Sequence, residues 1–398
     1  MRNLLLVTLI LLYFAVILGL NADANTHALY VQHVEQAFKS LFQGNNEQAI
    51  ESFEAALAIE PNHYEILHYL GMSYTQDEYW KKAVNVYRRA LELKSDSIEV
   101  LYSLGLIYFK LDQWSDAAAQ LKQVITLSPN HARGHELLGK VYIKLRQYTD
   151  AVEVLTKTLE LKPNSPGNYN ELGNAYLKIK SYSEAITNFK NAIKYGPPNF
   201  AEPHYGLGTA YMHTGEREKS RSEMLLYQQL QRLNVEYERF TRQTRVDPNN
   251  LEGWTGLARI LMQQKIYNEA IPALQKCIAL GNSQNASPDK IAGFHHGLSQ
   301  AFLNLNYPKH ALESVGKAIL LSPKQSIFYN TLGSTYARLG LIQKAIPAYQ
   351  QAIMLDSEQP YYHLNISKLY QSIGNRKLAQ EHYQAYEFYL SKQKNKTQ

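Results

Sequence analysis

The apolar positions of this chain recur with a fixed period. Leucine–glycine pairs stand at Leu70-Gly71, Leu104-Gly105, Leu138-Gly139 and Leu172-Gly173, so successive glycines are 34 residues apart. Three residues after each glycine comes a tyrosine: Tyr74, Tyr108, Tyr142 or Tyr176. Nine residues further stands an alanine, Ala83, Ala117, Ala151 or Ala185. A large apolar residue follows four positions on: Tyr87, Leu121, Leu155 or Phe189. Three of the units close on Pro129, Pro163 and Pro197. Apolar residues three and four apart share one face of a helix. Each unit therefore predicts two helices, the second ended by a residue that cannot continue it.

Glycine inside a helix costs roughly 1 kcal/mol against alanine. Its recurrence calls for a close approach by a second helix. Alanine is the matching small residue there, so Gly105 is expected to face Ala117. One such pair cannot bury its apolar side alone, whereas stacked neighbours bury it together. The unit resembles the tetratricopeptide repeat, a helix–turn–helix module of this period. The resemblance implies an all-α fold, a right-handed superhelical solenoid of antiparallel helix pairs. It also implies that the first helix of each pair lines a concave face, and that the chain binds other proteins.

The pattern extends to about ten units in two blocks. Residues 27–215 form the first block. It opens on a degenerate unit with Ala37, Ala49, Phe53, Ala56 and Pro61 in core positions, and it closes on Leu207, Gly208 and Tyr211. From 216 to 250 the pattern lapses. Residues 216–246 contain no proline or glycine, and Leu226, Leu230, Leu233, Tyr237 and Phe240 step by three or four. That predicts a linker of one long helix, or of two helices broken near Asn234. The second block spans 251–391 and begins with Trp254, Leu257 and Ala258. Residues 392–398 are expected to be a disordered tail.

Composition changes this picture little. Charged residues are 19% and the formal net charge is +6, ordinary for a folded chain of 398 residues. Lysines and arginines are nowhere dense enough for a nucleic-acid footprint, so no nucleic-acid partner is expected. The one cysteine, Cys277, occupies the place of Ala90 and Ala192 and is expected to pack as a small apolar residue. At the N-terminus, Arg2 precedes an apolar run over residues 4–20, then Ala22-Asp23-Ala24. This is the layout of a secretory signal peptide over residues 1–24, or of an uncleaved membrane anchor. Either predicts export of the repeats to a periplasmic or extracellular location. The membrane would be touched only through that segment.

No constellation for chemistry stands out. There is no glycine-rich phosphate loop, CxxC or HExxH. His131 and His135, four apart, are expected to be a solvent-facing pair. His295 and His296 point to different sides of a helix. The chain thus reads as a non-enzyme, with no catalytic residue, metal or cofactor. The alternatives are a metal-binding or enzymatic protein using groove residues, and a self-assembling structural envelope component. The resemblance places Glu99, Tyr102, Leu106 and Phe109 on the concave face. Arg133, Glu136, Lys140 and Ile143 follow on the next unit, then Asn170, Asn174 and Leu177 with Lys178 beside them. Tyr102, Leu106, Phe109, Lys140, Asn170, Asn174 and Lys178 form the candidate groove. It grades from aromatic to mildly basic, and its ligand is expected to be an extended, partly hydrophobic peptide of a protein partner. At the other end, Tyr383, Phe388 and Tyr389 either pack back on Tyr370 and Ile366 or offer a surface for self-association.

Overall fold

A computed structural model of the chain describes residues 24–396. The apolar run over residues 4–20, on which the signal-peptide or anchor expectation rests, lies outside the described residues. Among those described, no helix is long and apolar enough to cross a membrane.

Helices alone make up the described chain, in ten successive antiparallel pairs. The first unit comprises residues 24–196 with Glu202–Arg221. Its pairs are α1 (Ala24–Phe42) with α2 (Asn46–Ile59), α3 (Tyr64–Gln76) with α4 (Trp80–Leu93), and α5 (Ile98–Lys110) with α6 (Trp114–Leu127). Then come α7 (Ala132–Lys144) with α8 (Tyr148–Leu161), and α9 (Pro166–Lys178) with α10 (Tyr182–Tyr195). Finally α11 (Glu202–His213) leads into α12 (Arg217–Val246), whose Lys219 lies 5.4 Å from the Tyr211 ring of α11. Side-chain caps satisfy free N–H groups at several helix starts. Ser97 accepts from Val100, and His131 accepts from Gly134 through Nδ1.

The second unit comprises Pro197–Ala201 and residues 222–396. It contains most of α12, then α13 (Leu251–Gln263) with α14 (Tyr267–Ser283) and α15 (Pro288–Asn304) with α16 (Pro308–Leu321). It ends with α17 (Ser326–Arg338) and α18 (Ile342–Leu355), then α19 (Pro360–Ser372) and α20 (Arg376–Lys396).

The core follows the repeat. Leu104, Tyr108, Ala117 and Leu121 are buried in one continuous cluster with their counterparts in neighbouring pairs. Successive pairs are also tied by cations over rings: Arg88, Lys122 and Lys190 lie 5.9, 5.7 and 5.8 Å from the tyrosine rings of the following pair.

Four expectations need correction. Gly105 faces Leu121, not Ala117: a Cβ there would lie 2.7 Å from Leu121 Cγ. The linker is one unbroken helix over Arg217–Val246, the first of the two forms expected, but the boundary differs: the compact units divide inside it, after Arg221. The tail is ordered as helix to Lys396, with Lys392 2.5 Å from Glu358. His131 and His135 are not a solvent-facing pair, since His135 is buried and bonds the Pro129 carbonyl at 2.8 Å. At the C-terminus Tyr389 stacks on His363, while Tyr383 and Phe388 stay exposed.

Candidate functional site

In the first unit the candidate groove residues come from α5, α7 and α9. Tyr102, Leu106 and Phe109 are half-buried and pack against the core, so part of their apolar surface supports the stack rather than a ligand. The Tyr102 ring lies 5.4 Å from that of His131, and burial raises its phenol above the ordinary value. One turn along α7, Lys140 is 3.0 Å from Glu136, which also lies 3.6 Å from Lys162. Burial works against the Glu136 charge, but the two lysines outweigh it and hold the carboxyl below its ordinary range. Lys140 is therefore already matched within the chain. Glu171 behaves oppositely: burial raises it despite Lys140, Lys144 and an Asn174 hydrogen bond.

Asn170 is buried, and its Oδ1 has no hydrogen-bond partner. Asn174 is half-buried and Lys178 exposed. The structure thus brings the seven predicted residues onto first helices of three consecutive pairs. Among them Lys140 is matched by Glu136, while Lys178 is exposed.

Sequence reasoning missed a better-formed site on α13, α15 and α17 of the second unit. A cavity of about 520 Å³ opens there between Gln263, Gln300, Asn304, Asn330, Ser334 and Arg338, over a floor of Met262 and Leu303. An adjoining cavity of about 330 Å³ shares Met262 and Gln300. Neighbouring groups hold the lining in place. Asn365 donates to Asn330 Oδ1 at 3.0 Å, which leaves the Asn330 amide N–H groups for a ligand. Arg338 donates to the Leu303 carbonyl at 3.1 Å, and His296 bonds Thr331 at 2.9 Å. The signal for this site was present in the repeat register, because Asn330 and Ser334 occupy the places of Asn170 and Asn174. A third cavity, also about 520 Å³, lies on the α6 and α8 side around His135 and Val154.

Among the described residues no group of three or more His, Cys, Asp or Glu is placed to hold a metal. Cys277 is buried, and burial pushes its thiol up to about 11, so it is no nucleophile at neutral pH.

A stack of helix pairs with an open face lined by successive first helices is the architecture of an α-helical repeat scaffold. The chain belongs to the tetratricopeptide-repeat family. Its repeat models match residues 102–166 and 170–231, and again 251–281 and 327–359. A model described as anaphase-promoting complex, cyclosome, subunit 3 matches residues 43–124. No curated protein matches the chain. Among solved structures, a MamA protein is 27% identical with a TM-score of 0.41, over 42% of this chain and 91% of that one. YrrB, titled a TPR protein with an unusual peptide-binding site, is 21% identical with a TM-score of 0.43, over 46% of this chain and 94% of its own. PilF of Pseudomonas aeruginosa is 23% identical with a TM-score of 0.41, over 55% of this chain and 99% of its own.

Proposed function

We propose that this chain is a non-enzymatic interaction scaffold of the cell envelope, holding an extended, partly hydrophobic peptide of a partner protein along its first helices. The observation that carries the reading is the cavity lined by Gln300, Asn304, Asn330 and Ser334. Carboxamides both donate and accept, so they suit a peptide backbone whatever its side chains. Arg338 adds a place for an acidic group, and Met262 and Leu303 for an aliphatic one. The Tyr102–Asn174 segment of the first unit supplies a second stretch of the same character.

Capture of partner from the native host tests this with two double variants, Tyr102→Ala/Asn174→Ala and Asn330→Ala/Arg338→Ala. Truncating a central anchor commonly costs about 2 kcal/mol or more. At least one pair should therefore abolish capture while helical circular dichroism stays at wild type. Undiminished capture by both would overturn the reading. The envelope location rests on residues 1–24. N-terminal sequencing should give a mature start at Asn25, or fractionation should find the repeats outside an uncleaved anchor. Intact soluble protein in the cytoplasm of the host would refute export.

A further inference from the structure

The long helix α12 has two stripes on opposite sides. The inner one is Leu230, Leu233, Tyr237, Phe240 and Thr244; Leu230, Phe240 and Thr244 are buried, and Leu233, Tyr237 and Phe240 pack into the core of the second unit. The outer one is Leu225, Arg232, Val235, Arg239, Arg242 and Val246, with Gln228 completing the step between Leu225 and Arg232. Its spacing alternates three and four, the heptad spacing of a helix that packs along another helix. All of these residues are exposed, Leu225 at 58%, Val235 at 69% and Val246 at 80%. At 1.5 Å per residue the stripe runs for about 30 Å.

Its charge is one-sided. The stripe contains three arginines and no acid. Among the described residues Arg232, Arg239 and Arg242 make no ion pair. Of the flanking acids, Glu236 is held by Arg259 at 3.0 Å, while Glu238 stands one turn before Arg242 and Asp247 follows Val246. Arg239 is exposed, and its guanidinium lies 4.4 Å from the Phe240 ring at the edge of the inner stripe. A second copy of the helix would set arginine against arginine, so self-pairing is disfavoured. A lipid surface would find one leucine and two valines to bury and no aromatic residue, a poor apolar face for insertion.

We propose that this stripe is a docking surface for an acidic amphipathic helix of a partner protein, with aliphatic residues and carboxylates at the same three-and-four spacing. Arginine forks match carboxylates two-pronged, and the aliphatics between them set the register. The proposal is independent of the grooves on the first helices.

The test uses the full chain and a fluorescent synthetic helix of about 25 residues with leucine and glutamate in alternating heptad positions. A counterpart carries lysine for each glutamate. Fluorescence anisotropy should show the glutamate helix binding and the lysine helix not binding, with affinity falling as salt rises. Arg232→Glu/Arg239→Glu/Arg242→Glu should weaken the glutamate helix at least tenfold and gain affinity for the lysine helix. Val235→Ser, which removes the aliphatic group and leaves the arginines' charge as it is, should also weaken the glutamate helix. All four positions are exposed, so circular dichroism should not change. Equal binding of both peptides, or glutamate-helix binding that survives the triple variant, would overturn the proposal. Displacement of the peptide by phosphatidylglycerol vesicles would overturn it in favour of a lipid surface.

Discussion

At Gly105 one added carbon decides whether two helices fit. A Cβ there would lie 2.7 Å from Leu121 Cγ and 2.9 Å from Leu121 Cδ2, inside any real contact. Gly105→Ala should therefore destabilise by about 1–3 kcal/mol through overpacking. Gly316, inside α16, has nothing within 4 Å of the same construction, so Gly316→Ala should stabilise by about 0.5–1 kcal/mol. Hydrogen exchange on the two variants checks the opposite signs locally, as suits a repeat protein whose units couple mainly to neighbours. Two shifts of the same sign would remove the packing explanation. The recurring leucines, tyrosines and alanines were legible because burial repeats with the period. The partner of the glycine was misread because small was matched to small. In the structure glycine makes room for the large residue one turn beyond the alanine, as Gly71 does for Tyr87 and Gly173 for Phe189. Also hidden was a use of ring N–H groups. His135, Trp254 and His363 each bond the backbone carbonyl six residues earlier, at 2.8, 3.0 and 3.1 Å. Tryptophan and histidine share that donor and little else, so no hydrophobicity pattern groups them.

Between helices, each pair turns through one residue with positive φ, from Gly44 at 76° to Gly374 at 79°. Only four of these turns use glycine; Glu78, Asp112, Arg146, Lys180, Lys265 and Asn306 hold the others at 56–65°. That is why helix existence was readable and the turn chemistry was not: a charged residue in a left-handed turn carries no compositional mark. Ties between pairs are as local as the turns. On α15, His296 reaches Thr331 of α17, whose hydroxyl already donates to the Ile327 carbonyl, so the His296 ring must donate. Burial pushes its value from 6.5 down to about 4, a difference worth on the order of 3 kcal/mol. Because the folded value is the depressed one, the unfolded chain takes up the proton first as pH falls. The contribution is complete above 6.5 and is lost progressively as pH falls towards 4. Melting of wild type and His296→Gln at pH 7 and pH 4.5 should show a smaller acid loss in the variant, since glutamine keeps a donor to Thr331 without titrating. Equal acid losses would assign the effect to other groups.

For the whole molecule the sequence placed the second block from residue 251, where the repeat signature resumes. The structure starts the compact unit earlier because helix α12 serves both sides of a division that lies within it. Its first turns complete the pair with α11, and residues beyond Arg221 group with the second unit. Phe240 does there what Phe189 does for Gly206: a Cβ on Gly256 would lie 2.2 Å from Phe240 Cε1. Leu233 and Tyr237 pack against the same cluster as Trp254 and Leu261. A repeat pattern cannot report this, since one α12 stripe stands in for a second helix whose own first helix is missing. Cutting the chain at 251 would strip the cover from α13. Phe240 is nearly fully buried there, and such a side chain contributes about 1.5–3 kcal/mol, a large part of the margin of a small domain. A fragment of residues 222–398 should fold cooperatively, with hydrogen-exchange protection in α13 matching the full chain. A fragment of residues 251–398 should lose that protection and bind a hydrophobic dye. Phe240→Ala in the longer fragment should fall between the two, at a cost of about 3–5 kcal/mol for a buried phenylalanine. If the shorter fragment protects α13 as well as the longer one, the long helix is a linker after all and the boundary belongs at 251.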